Sequence, residues 1–473
     1  MNDIHSSTSS GSPLNMATAA ESLAQQLATY CTDLSFADIP KQVVTYAKHL
    51  ALDLFGAALS GVDTPEAKAA CRAVRALSPA GGPCTLWGTD QHASPSGAAL
   101  ANGISAHARE LDDFGGVDHS GAVVIPAIIA IAEACPPVSG RRFIESMIVG
   151  YEVGRRVLDA AGGYRPHNHA DGWHSTGTCG SFAAAAAASK ALGLSPEQST
   201  WAMGLAGSFT GGTWAFAADG SMSKRYHVGR AAETGVICAF LAQSGFSGPT
   251  WIFEAGWGGF LTTYCRAAPC ADNLLRNIGE PAALLRSGIK PYAACRDIHS
   301  TIDVILEAKR SHDLRPEDIA DVTIRCTPEM MQMVGKRAVP KTRLEAQLSL
   351  TYSVAIVLLR GRAFLAEYEE PFLSDARVWR LAERVTIVSD SDLPLDSEPF
   401  VVINTMDGRK IEGHVEHASG APQNPLTSQA IVEKFESLSS RTLTMDRVHG
   451  LETTIFSLET LDDIRTVTAL LCN

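Results

Sequence analysis

From Ala17 to about Ala267 the apolar positions recur at the three- and four-residue spacing of helices with one buried face. Val43, Val44, Ala47, Leu50, Leu54 and Phe55 form one such stripe, and helix-forming residues dominate around it. The run SFAAAAAASKALGL, Ser181 to Leu194, predicts an alanine-rich helix that neighbours can approach closely. Ser195-Pro196-Glu197 predicts the start of the next helix, a capping residue followed by proline at the first helical position. Glycines break the pattern at Gly162-Gly163 and between Gly204 and Gly220.

Near Lys290 the period changes. Val322 to Cys326, Val385 to Val388 and Phe400 to Ile403 read as strands. The last continues through Met406-Asp407-Gly408-Arg409, a hairpin turn signal, into a returning strand from Lys410 to Val415. Helical stretches lie between them, Ile298 to Lys309 and Leu344 to Leu358, and helical spacing returns after Ser428. The pattern predicts a mainly α protein with an inserted α+β domain. The expected parts are a disordered polar tail (1–16), a helical domain (17–269), an α+β domain (270–415) and a returning segment (416–473) that completes the helical domain.

Composition narrows the function. The chain has 473 residues, 45% hydrophobic and 19% charged, enough for more than one core. A net charge of -12 without an arginine- or lysine-rich run argues against a nucleic-acid binder. The longest apolar stretch, Gly121 to Cys135, is too short to span a bilayer and carries Pro126 and Glu133, so no membrane association is expected. The Ser-rich opening lacks the features of a secretory signal, and eleven scattered cysteines without a CxxC pair suit a reducing, cytoplasmic setting.

Four segments can carry chemistry. AHARELDDFGGVDHSGAVVIPA holds Glu110, Asp112, Asp113 and Asp118 with His107 and His119. Asp113 could fix the ring of His119; alternatively the acids cap the helix that follows. DGWHSTGTCGSF places His174 just before the alanine-rich helix, where free backbone N–H groups favour a carboxylate. The other reading there is a helix cap with a satisfied core histidine. GSMSKRYHVGRAAETG packs Lys224, Arg225, Tyr226, His227 and Arg230 together, the densest cationic stretch in an acidic chain. Such a set suits a dianionic or trianionic ligand, unless it is a solvated basic face. KPYAACRDIHS adds Lys290, Tyr292, Arg296 and His299 around Pro291, which could equally be an ordinary polar domain entry. HExxH, paired CxxC, EF-hand, Walker and dinucleotide signatures are all missing, so neither metal nor cofactor is expected.

In this order the segments resemble the MmgE/PrpD family, which includes 2-methylcitrate dehydratase, cis-aconitate decarboxylase and iminodisuccinate epimerase. The most specific stretches are NGISAHARELDD, HSGAVVIPA, GWHSTGTCGSFAAAAAASKALGL, GSMSKRYHVGRAA, KPYAACRDIH and AQLSLTYSVAIVLLRGR. The resemblance covers the chain from roughly Ala20 onward. It implies a helical domain built from both chain ends, an α+β lid and a homodimer. It also implies a pocket containing Glu110, His119, His174, Lys224 and Lys290. Two positions depart from the decarboxylase pattern: Phe114 stands at a threonine and Cys295 at a lid histidine. CRDIH is more similar to the bacterial branch that contains the epimerase.

The expected reaction is proton abstraction alpha to a carboxylate of a small di- or tricarboxylic acid by Lys224 or His174. Arg225, Lys290 and Lys224 would stabilise the enediolate while His119 delivers a proton. Asp113, Arg225, Tyr226, His227, Tyr292, Arg296 and His299 are the expected substrate-binding set. A dehydratase-like lyase leads, followed by an aminodicarboxylate epimerase, a decarboxylase and a non-catalytic binding protein.

Overall fold

A computed structural model describes residues 21–472 apart from 136, 281–282 and 337–338. The opening expected to be a disordered tail lies outside the described residues. The helical body begins with α1 (Leu23–Asp33), α2 (Lys41–Gly61), α3 (Pro65–Leu77), α4 (Pro95–His107) and α5 (Ser120–Ala134). It continues with α6 (Gly140–Ala160), α7 (Ser175–Leu192), α8 (Pro196–Ser208), the short α9 (Phe216–Asp219) and α10 (Ser223–Gln243). Ser195 caps α8 through a capping box with Gln198, with Pro196 in the first turn.

The alanine-rich helix α7 is buried on nearly every face and is packed by α5, α6, α8 and α10. Small residues make this possible: a Cβ at Gly235 of α10 would lie 2.4 Å from the Ala184 backbone. One pair of two-residue strands, β1 (Cys84–Thr85) and β2 (His92–Ala93), interrupts this part, where the sequence signals none.

After α11 (Phe260–Tyr264) the chain reaches α12 (His299–His312), β3 (Ile319–Cys326), α13 (Pro328–Val334), α14 (Arg343–Gln347) and α15 (Leu350–Arg360). Next come α16 (Ala376–Ala382), β4 (Val385–Ser389), β5 (Phe400–Thr405) and β6 (Lys410–Gly413). The sheet order is β4-β3-β5-β6, with β3 parallel to β4 and antiparallel to β5. The β5–β6 hairpin turns where expected, with Gly408 at φ 85°. The single helix expected over Leu344 to Leu358 is two, because Ser349 caps a new start by accepting from the Tyr352 N–H.

Two hydrophobic clusters result. The larger combines α1 to α8 and α10 with Ile431, Phe435, Leu451 and Ile455 of α17 (Ser428–Ser439) and α18 (Met445–Phe456), so both chain ends share one core. The smaller joins the sheet to α12 and α15. Leu274, Leu284 and Ile289, in the stretch expected to open the α+β domain, pack in the larger cluster and belong to the helical body by packing.

Candidate functional site

The site is organised by the loop between α4 and α5. It turns through left-handed backbone at two non-glycine residues, Glu110 (φ 55°) and Asp118 (φ 102°). Side chains rarely adopt such conformations unless the surroundings hold them. Glu110 is fully buried and accepts from three cations. Its Oε1 lies 2.6 Å from Lys224 Nζ and 2.8 Å from Arg225 Nη1, and its Oε2 3.1 Å from Lys290 Nζ.

Burial acts to raise the Glu110 pKa, but Lys224, Lys290 and Arg225 outweigh it and hold the carboxyl well below its usual range. Burial conversely acts to lower Lys290, and Glu110 outweighs it and raises the pKa. One carboxylate among three cations leaves local positive charge, a receptor for a further anion.

Beside this cluster lies an acid–histidine network. Asp112 is fully buried between two rings, Oδ1 2.9 Å from His107 Nδ1 and Oδ2 2.9 Å from His119 Nδ1. Burial acts to raise its pKa, and His107 and His119 bring it well below the usual range. Oδ2 of Asp118 lies 3.5 Å from Nε2 of both His119 and His174. His174 precedes α7, and its Nδ1 lies 3.1 Å from His227 Nδ1. Burial brings His174 down to about 3 and His227 down to about 4, so both rings are neutral near pH 7.

A cleft of about 530 Å³ opens over both groups, between the helical body and the α+β part. Glu110, Asp118, His119, Lys224, Lys290 and Arg296 line it. Phe114 and Cys295 also line it, with Arg296 stacked 5.4 Å from the Phe114 ring centroid and paired with Glu398.

The other expected residues sit elsewhere. Asp113 does not orient His119; Asp112 does. Asp113 instead accepts from the Gly121 N–H and the Tyr151 hydroxyl, and burial with Asp112 nearby pushes its pKa up to about 7. A Cβ at residue 121 would lie 2.7 Å from that carboxylate, so glycine is what lets it approach. Arg225 touches Glu110 from beneath and does not line the cleft. Tyr226 and His227 face a separate cavity of about 370 Å³. Tyr292 donates to Asp303, and His299 is buried with Nε2 against the Ala294 carbonyl.

Tyr164, His169 and Trp214 line the cleft without having been singled out in the sequence. Gly162-Gly163 and the histidines that follow were the available signal. The sequence alone could not bring that loop to the same wall as Trp214.

The helical body and the α+β part thus meet over a cleft lined by lysines and histidines, side chains able to hold and transfer protons. The family models for the MmgE/PrpD N-terminal and C-terminal domains match residues 25–271 and 292–459, and the chain belongs to the MmgE/PrpD family as a lyase of that type. It is similar to the cis-aconitate decarboxylase-like protein oryM of Aspergillus oryzae, 30% identical over 94% of this chain and 96% of that protein. It is 27% identical to the cis-aconitate decarboxylase of Homo sapiens over 95% of both chains. The 2-methylcitrate dehydratase of Salmonella typhimurium is 25% identical over 49% of this chain and 38% of its own. Among the described residues no helix is long and apolar enough to cross a membrane.

Proposed function

We propose that this chain is a cofactor-independent lyase that removes a proton alpha to a carboxylate of a small di- or tricarboxylic acid, in the manner of a 2-methylcitrate dehydratase. The observation that carries this reading is the buried Glu110 with Lys224, Arg225 and Lys290 beside the His119–Asp112 pair. Lys224 and Lys290 reach the cleft and receive the substrate carboxylate, and their charge stabilises the enediolate as the proton leaves.

Lys224 serves here as a cation rather than as the base, since its Nζ lies 2.6 Å from a carboxylate. His174 is fully buried and reaches the cleft only past Asp118. His119 therefore carries the proton, with its ring fixed by Asp112. The pairing of an enediolate with loss of a β-hydroxyl completes a dehydration.

Decarboxylation is the second reading, favoured by the whole-length similarity to proteins named cis-aconitate decarboxylase. The epimerase alternative needs a proton donor on the opposite wall. Cys295 stands on that side, and burial pushes its thiol up to about 12, a poor match for proton exchange near neutrality.

The enzyme works as a homodimer in the cytoplasm. Eleven free cysteines suit a reducing compartment, and the exposed Phe209, Tyr226 and Trp251 offer apolar surface for a second copy.

Incubation with a panel of citrates, aconitates and aminodicarboxylates in deuterated water, followed by NMR, tests the reading. Loss of water is expected, with deuterium entering the α carbon of recovered substrate when the abstracted proton is returned from solvent. CO2 release selects the second reading, and turnover of none of the panel contradicts both.

A further inference from the structure

We propose that Asp118, His119 and His174 form a binding site for a divalent transition metal of the Zn2+ type at the inner end of the cleft, and that metal bound there inhibits turnover. The inhibition rests on the reading of His119 as proton carrier; the binding does not.

Nε2 of His119 and Nε2 of His174 each lie 3.5 Å from Oδ2 of Asp118, and the three ligand atoms fall within 4.8 Å of one another. A charge-assisted hydrogen bond would be about 2.7–2.9 Å. Two ligands each about 2.1 Å from a tetrahedral ion are about 3.4 Å apart, which is the separation found. Nε2 of His174 is buried without a hydrogen-bond partner, and the side chain is 0% exposed. A donor atom with no partner, aimed at a carboxylate and a second imidazole, is what a metal would satisfy.

The far nitrogens support this. Nδ1 of His119 faces Asp112 Oδ2 at 2.9 Å, the carboxylate–histidine arrangement that orients metal-binding imidazoles. Nδ1 of His174 faces His227 Nδ1 at 3.1 Å, so the tautomer in which His174 Nδ1–H donates to His227 leaves Nε2 of His174 with a free lone pair. Asp118 is partly exposed on the cleft side, which leaves a fourth position open to water or to a ligand carboxylate. Charge nearest the three ligands favours a cation: Asp112 and Asp118 stand against the histidines, while Lys224, Arg225 and Lys290 pair with Glu110. No sequence motif announces the site, because the third ligand comes from a different helix.

The test uses the full chain without added histidines, stripped by a chelator and titrated with Zn2+ by calorimetry and with Co2+ by visible absorption. One equivalent of metal and the bands of four-coordinate Co2+ are expected. Asp112→Asn should weaken binding about 10–100-fold, and His174→Ala and Asp118→Asn by more than that. Should His174→Ala fail to fold, Asp118→Asn carries the test alone. Removing the exposed His449 (His449→Ala) should change nothing.

Wild type that binds no Zn2+, or binds it as tightly after Asp118→Asn, overturns the proposal. Binding with one equivalent that leaves turnover intact supports the site, overturns its inhibitory part and counts against His119 as proton carrier.

Discussion

Oδ2 of Asp112 lies 2.9 Å from Nδ1 of His119, and Oδ1 of the same carboxylate lies 2.9 Å from Nδ1 of His107. One buried acid thus fixes two rings, of which only His119 faces the cleft. Asp112→Asn keeps the shape but presents an amide, which can donate to a ring nitrogen and so favour the wrong tautomer. We expect kcat to fall about 10–100-fold with little change in KM. A KM effect without a kcat effect would place Asp112 in substrate binding instead.

Glu110 is the only carboxylate directly bonded to Lys224, Arg225 and Lys290 among the described residues. Glu110→Gln leaves three buried cations without their counter-charge. Breaking a buried pair in this way costs about 3–5 kcal/mol, to be read from urea unfolding. A loss below about 1 kcal/mol would mean that water or an unseen anion reaches the cluster.

Asp113 sets a pH dependence of stability. Its folded pKa is raised to about 7, so the native state holds a proton that the unfolded chain releases near pH 4. Stability from this group is full below about pH 4 and is lost as pH rises to about 7, at about 1.4 kcal/mol per pH unit. Asp113→Asn keeps an acceptor for Gly121 N–H and a polar group for Tyr151. The variant should therefore gain on wild type between pH 5 and 8 in thermal unfolding. Parallel curves would show that Asp113 does not titrate in that range.

Much of this was legible in the sequence, and the failures have a physical pattern. Helical period and turn chemistry located the alanine-rich helix, the cap at Ser195 and the β5–β6 turn, because those signals are local. Which of the four acids from Glu110 to Asp118 stands against Nδ1 of His119 was not legible. Asp112 and Asp113 are neighbours in sequence, but one points to the histidines and the other to Gly121 and Tyr151. That choice is made by the left-handed turn at Glu110 and by packing against α6, neither of which has a local signature. Likewise Tyr292 and His299 were grouped with Lys290 by spacing. The chain instead turns them towards Asp303 and the Ala294 carbonyl.

Phe114 and Cys295 bear on the choice of substrate. Phe114 lines the cleft with Arg296 stacked on its ring, so a phenyl face rather than a hydroxyl meets the substrate at that position. A substrate polar group buried against that wall without a hydrogen-bond partner loses about 1–3 kcal/mol of stabilisation at each position. We expect negligible CO2 release from cis-aconitate, raised by the double change Phe114→Thr with Cys295→His. Release by the unmodified chain at ordinary enzyme rates, about 1 to 10³ per second, would refute the argument from these two residues.

Lys224 tests the cationic end of the cleft, which receives the substrate carboxylate. Lys224→Ala should cut kcat/KM by about 10²-fold or more while leaving the carboxylate cluster paired through Lys290 and Arg225. A folded variant with near-normal kcat/KM would remove Lys224 from the chemistry.

The most direct test of the central claim is α-hydrogen exchange, followed by NMR in deuterated water, for wild type and His119→Ala on whichever polycarboxylate the wild type turns over. The account predicts exchange by the wild type and a loss of about 10²- to 10⁴-fold in a folded His119→Ala. Exchange by that variant at the wild-type rate would contradict it.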